Sequence, residues 1–203
     1  MKKHNWMTNL INLRRDIMNR NVVLGTVFLY MTVCVPFTLF SQTTQGDFEM
    51  RGTILVKYNG SAKNVTIPIG VTGIDKEAFY HCGITEITIP NTVTVIGAAA
   101  FAENNLTDIT IPNSVTVIGP YAFANNKLTR VTISNGVTSI MDFAFATNFE
   151  LAEVTIPDSV TFIGSGAFSF SLSLKAVTLS RNTKIAEMAF PDKVEIIYRD
   201  SRE

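Results

Sequence analysis

The sequence predicts a solenoid, mostly β, built from about six stacked repeats of 22–23 residues. Two periodic markers and one compositional fact predict it. The phenylalanine closing an Ala-Phe pair recurs at Phe79, Phe101, Phe123, Phe145, Phe168 and Phe190, with steps of 22, 22, 22, 23 and 22. The aliphatic residue opening an [IV]-Thr-[IL] triplet recurs at Val65, Ile87, Ile109, Val131, Val154 and Val177, with steps of 22, 22, 22, 23 and 23. The 203 residues are 46% hydrophobic, so the chain can bury a full core. A single coil cannot hide its apolar side alone and must stack on a neighbour.

The third copy shows the physics of one coil. In Ile109-Thr110-Ile111 the alternation turns two aliphatic side chains inward and Thr110 outward, as a strand does. Pro112 has no N–H and ends the pairing there. Asn113-Ser114 turns the chain, and Val115-Thr116-Val117-Ile118 reads as a second short extended segment released at Gly119. Tyr121-Ala122-Phe123 returns across the layer with Phe123 as its bulky filler. Burying one such Ile or Phe contributes roughly 1.5–3 kcal/mol.

These motifs resemble the BspA-like, treponemal-type leucine-rich repeat. The resemblance rests on Ile87-Thr88-Ile89-Pro90, Ile109-Thr110-Ile111-Pro112 and Val154-Thr155-Ile156-Pro157, on the Ile-Gly pairs at Ile96-Gly97, Ile118-Gly119 and Ile163-Gly164, and on the Ala-Phe pairs. It covers about residues 53–190. It implies an α/β-class, mostly β, right-handed leucine-rich-repeat solenoid with a parallel concave sheet and a cap at each end. It also implies a protein-binding or adhesion role, with host extracellular-matrix components such as fibronectin as partners. A scaffold of this kind carries sites without defining them, and a structural protein of the cell envelope that binds the organism's own proteins is the alternative.

Taken from the start, residues 1–21 form a basic leader (Lys2, Lys3, Arg14, Arg15 and Arg20 against Asp16). Residues 22–41 contain an uncharged run from Val22 to Phe40 and read as a signal peptide or an uncleaved N-terminal membrane anchor. Pro36 and the polar Ser41-Gln42 favour cleavage, and initiation at Met18 would give a conventional signal peptide. Either reading exports the repeats, and residues 22–40 are then the only membrane contact expected. Cys34 lies in the apolar run behind Val33, where an acylation motif needs a small residue, and reads as part of that run.

Residues 42–64 read as an N-terminal cap, with a strand at Thr53–Tyr58 and a tight turn at Asn59-Gly60. The repeats occupy residues 65–190, and residues 191–203 form a C-terminal cap with a final strand at Val194–Tyr198. Beyond residue 40 there are 12 basic residues (17 less the five of the leader) and 16 acidic ones (17 less Asp16), a net charge of about −4. With no basic stripe, nucleic acid is not an expected partner. One cysteine beyond residue 40 leaves no disulfide within the exported part.

Candidate chemistry is weighed by register. Cys82 lies three residues after Phe79, where later copies carry Asn104, Asn126, Asn148 and Ser171. That is the ladder position, where the side chain turns inward to satisfy buried backbone groups. His81 shares its position with Glu103, Asn125 and Thr147 and is expected to face solvent. With only His4 besides, no histidine-based metal site or catalytic triad can be assembled. Neither an enzyme, a metal nor a cofactor is expected.

The expected binding surfaces are two. Thr66, Thr88, Thr110, Thr132, Thr155 and Thr178 hold one outward position in all six copies, flanked by Glu86, Asp108, Arg130 and Glu153. Threonine is a good exposed strand residue in any sheet, so this row reads either as plain strand chemistry or as a binding face centred on Thr88, Thr110, Thr132 and Thr155. Tyr121 and Phe143 form the second candidate: Ala99 and Gly166 stand at the same repeat position, so the fold does not require bulk there. Core filling is the first expectation for both rings, and an apolar partner contact is the alternative.

Overall fold

The computed structural model describes residues 45–199. The leader, the Met18 start, the 22–41 segment and Cys34 lie outside the described residues. Within them the regular elements are fifteen strands and one 3-10 turn at Gln45–Asp47. No helix there is long and apolar enough to cross a membrane.

Each coil contributes two strands, one to each of two stacked ladders. The first ladder begins with β1 (Phe48–Arg51) and β2 (Ile54–Tyr58), an antiparallel hairpin turning at Gly52. The hairpin corrects the expected turn at Asn59-Gly60. The chain turns seven residues earlier, where Gly52 takes φ 64°, while Gly60 lies under the Tyr58 ring, whose atoms a Cβ there would meet at 2.4 Å. Six two-residue strands extend β2 in parallel: β4 (Gly73–Ile74), β6 (Val95–Ile96), β8 (Val117–Ile118), β10 (Ser139–Ile140), β12 (Phe162–Ile163) and β14 (Lys184–Ile185). Threonine hydroxyls reinforce the backbone pairing at the entry to these strands. Thr94, Thr116 and Thr138 each donate from Oγ1 to the threonine carbonyl one coil earlier (Thr72, Thr94 and Thr116), at 2.9, 3.2 and 3.2 Å.

The second ladder carries the outward threonines. Its strands are β3 (Asn64–Thr66), β5 (Glu86–Thr88), β7 (Asp108–Ile111), β9 (Arg130–Ile133), β11 (Glu153–Thr155), β13 (Ala176–Leu179) and β15 (Glu195–Tyr198). Pairing is parallel and in register, coil on coil, so that Thr110 lies beside Thr132 and Thr132 beside Thr155. The ladder is not continuous: it falls into β3-β5, β7-β9-β11 and β13-β15.

Between the ladders runs one apolar core. Phe79, Phe101, Phe123, Phe145 and Phe168 are fully buried and stack face to face at 4.9, 5.0, 5.2 and 5.2 Å, with interplanar angles of 17° or less. That spacing is close to the strand-to-strand distance of about 4.8 Å. The coil rise therefore sets the stacking. Tyr58 closes the column at one end, 5.3 Å from Phe79, and Phe190 closes it at the other, 5.1 Å from Phe168.

The ladder position behaves as the register required. Asn126 is buried; its Nδ2 donates to the carbonyls of Phe101, Phe123 and Ala124 at 2.9, 3.2 and 3.3 Å, and its Oδ1 accepts from the Leu106 N–H at 3.1 Å. Asn104 and Asn148 repeat the pattern. Ser171 departs from it, with a buried hydroxyl that makes no hydrogen bond. Its copy follows the extra residue of a 23-residue step. That extra residue lets the Leu151 N–H, which an asparagine at 171 would otherwise serve, bond to the Asn148 carbonyl at 3.0 Å instead.

Candidate functional site

The threonine row lies on the surface, as its alternation with Ile and Val requires. Thr66, Thr88, Thr110 and Thr155 are exposed, and Thr132 and Thr178 are half-buried. Glu86, Asp108, Arg130 and Glu153 form a second exposed row two residues before them. Arg130 stands between two acids: its Nη2 donates to Asp108 Oδ1 at 3.2 Å, and Glu153 is its register partner on the other side. Asn64 donates to the Glu86 carboxylate.

Within each paired sheet the order of charges favours the pairing. Opposite charges side by side help two strands pair, and like charges oppose it. The β7-β9-β11 sheet alternates acid, base, acid, and β3-β5 joins an amide to an acid. Glu86 and Asp108 would be the one acid–acid neighbour pair in the row, and there the ladder opens. The opening is a cleft of about 720 Å³ whose walls include Glu86, Thr88, Ile89, Asn91, Asp108 and Thr110. The structure thus brings Glu86, Thr88, Asp108 and Thr110 together around one cavity. Thr132, Thr155, Arg130 and Glu153 continue the face beside it without lining the cleft.

Tyr121 and Phe143 are placed differently from the first expectation of core filling. Tyr121 is 48% exposed, and the two rings stack on each other at 5.0 Å and 11° on the outside of the coil. The cause is backbone conformation. Glu77, Ala99, Tyr121, Phe143, Gly166 and Met188 share one repeat position, and all have φ between 51° and 61°. A left-handed residue carries strain unless it is glycine. Gly166 is the strain-free version, and the Phe143 ring lies over it, 2.4 Å from where a Cβ would stand.

Several exposed apolar residues escaped the sequence reading, Phe149 and Leu172 among them. Phe149 and Leu172, 51% and 70% exposed, sit at the extra residue of the two 23-residue steps, in turns beside the asparagine ladder. The step of 23 was visible; which residue was the extra one became clear only from the turns.

Cys82 is half-buried, with its thiol directed at the Tyr80 and Tyr58 carbonyls at 3.6 and 4.0 Å. Burial pushes the thiol pKa above its ordinary value, against a smaller pull from Lys63 and Lys57. A reactive thiolate needs the reverse. His81 faces solvent, with Nδ1 3.3 Å from Glu103. Among the described residues no group of three His, Cys, Asp or Glu side chains could hold a metal ion.

Comparison with known proteins agrees with this geometry. The family model for the BspA type leucine-rich repeat region matches residues 72–197 in six copies. A leucine-rich cell surface protein from Faecalibacterium prausnitzii is similar at 25% identity over 70% of this chain and 55% of that one, with a TM-score of 0.46. The leucine-rich repeat protein of T. pallidum is similar at 22% identity over 66% and 90% of the two chains, with a TM-score of 0.42. The pneumococcal vaccine antigen PcpA is similar at 15% identity over 70% and 58%, with a TM-score of 0.33. This chain therefore spans little more than half the length of the Faecalibacterium protein. No curated protein matches it in sequence.

Proposed function

We propose, for this chain, which belongs to the BspA-type leucine-rich repeat family, that it is an exported adhesion module binding other proteins through its threonine-bearing face. The observation carrying this reading is the outward row of Thr88, Thr110, Thr132 and Thr155, the last three in register, with its cleft at Glu86 and Asp108. Flat strand faces with a rigid backbone cost little entropy to dock, because their side chains are already ordered by the ladder. The stacked Tyr121–Phe143 pair offers a second contact outside that face. Host matrix proteins such as fibronectin are the partner class. Residues 22–41 direct export, and residues 42–64 and 191–203 cover the ends of the stack.

Protease added to intact cells tests the location. The repeat domain is removed while a periplasmic marker survives. Protection of the domain, with the marker also intact, would instead favour an envelope scaffold that binds the organism's own proteins.

A further inference from the structure

The outer row that carries Tyr121 and Phe143 has a gap one coil before it. Tyr121 stacks on Phe143, in the following coil, at 5.0 Å. The other face of its ring turns toward the preceding coil, where the same repeat position holds only the methyl group of Ala99. One coil earlier still, Tyr80 stands at the position that Ala102 and Ala124 hold in the next two copies. The result is a cavity of about 400 Å³ with Tyr80 at one side, Tyr121 at the other, and Ala99, Ala102 and Ala124 between them. Both rings are exposed.

Hydrogen-bonding groups of both kinds line the same cavity. Asn125 and Thr147 belong to it, and among the described residues neither side chain makes a hydrogen bond. The ladder residues Asn104, Asn126 and Asn148, by contrast, are spent on backbone carbonyls. Asn125 therefore offers two N–H donors and a carbonyl acceptor, and Thr147 a hydroxyl that serves as either. Glu103, the charged residue of the lining, is already engaged. It takes a hydrogen bond from the Tyr80 hydroxyl, which raises the pKa of that hydroxyl, and His81 Nδ1 lies 3.3 Å away. A cation would find this carboxylate occupied. A neutral molecule with an apolar face and a rim of hydroxyls matches both the rings and the free polar groups. The adjoining cavity of about 480 Å³ shares Glu103 and Asn125, and it repeats the pairing of an exposed ring with a free amide in Phe149 and Asn105.

We infer that this slot binds a neutral glycan of β-1,4-linked pyranose rings in the gluco configuration. One sugar ring lies against Tyr121 above Ala99, with its hydroxyls at Asn125 and Thr147, and the next sugar enters the cavity beside Phe149. Such a sugar has all its ring substituents equatorial, so it presents C–H groups on both faces and stacks on an aromatic ring whichever way round it enters. The slot shares no lining residue with the cleft on the threonine face, so its binding does not depend on the role proposed for that face.

The test uses the full chain with its alanine methyl groups labelled, and cellotetraose as probe. The Ala99, Ala102 and Ala124 methyl resonances shift saturably. Ala99→Phe abolishes the shifts at Ala102 and Ala124, because a ring there continues the Tyr121–Phe143 stack and fills the slot. The next two copies already carry rings at this position on the same left-handed backbone, so the variant keeps the fold, which circular dichroism checks. Asn125→Asp keeps the shape of the side chain but loses both N–H donors, and it weakens binding about tenfold. Absence of any shift with cellotetraose, or binding undiminished in either variant, would overturn the inference. So would loss of a protein ligand in Ala99→Phe while cellotetraose stays silent, which would make the slot a protein contact instead.

Discussion

Phe123→Ala should lower the free energy of unfolding by about 3–5 kcal/mol, measured by urea denaturation followed by circular dichroism. Phe123 is fully buried and stacks on two rings, Phe101 at 5.0 Å and Phe145 at 5.2 Å. Its removal leaves a cavity that the coils cannot close, because their rise is fixed by two ladders of hydrogen bonds. The loss includes both stacking contacts as well as the buried area. Phe190→Ala should cost distinctly less, since that ring is only half-buried and has one neighbour in the column. Equal effects at the two positions would mean that the column is not a stabilising unit. In a solenoid each coil touches only its neighbours, so the damage should be local. Amide exchange should accelerate first in the coils around Phe123.

The second large effect is at the asparagine ladder. Asn126→Ala should cost about 2–4 kcal/mol in the same assay, because each buried backbone group left without a partner costs roughly 1–3 kcal/mol. Asn126 serves the Leu106 N–H and three carbonyls spread over two coils. Asn126→Asp should be nearly as harmful, because a carboxylate cannot donate to those carbonyls. A loss below about 1 kcal/mol for Asn126→Ala would show that water replaces the side chain and that the turn is not sealed.

Much of this was legible in the sequence because the repeat reports on itself six times. The period located the phenylalanine column, and the alternation in Ile109-Thr110-Ile111 placed the threonines outside. The match of Cys82 with Asn104, Asn126 and Asn148 identified the ladder. What escaped was set by conformation or by lateral neighbours. Tyr121 and Phe143 carry side chains of core type, yet a left-handed backbone aims them outward. The clue was Gly166 at the same position, read as permission for small size when it also marked φ. Asn59-Gly60 looked like a turn by composition, but the glycine is there for the Tyr58 ring.

The break in the threonine ladder between β5 and β7 is a property of adjacent copies. No single repeat contains it. At the β5/β7 break Glu86 and Asp108 hold equivalent positions in copies that stack directly, while Arg130 separates Asp108 from Glu153; the β11/β13 break has no such pair. Reading each copy downward, position by position, would have shown the acid–acid pair. It would not have shown a cavity, which depends on how far two coils part when the rung between them is lost.

The most direct measurement of the central claim is binding of immobilised fibronectin by the full chain, compared with the Thr88→Tyr/Thr110→Tyr variant. Tyrosine favours strands as threonine does, so the fold should persist while the larger side chains cover the face and its cleft. Binding that is saturable in the native chain and lost in the variant, with unchanged circular dichroism, is the predicted result. Binding by the native chain that survives both tyrosines undiminished would contradict the account and move the contact elsewhere on the solenoid.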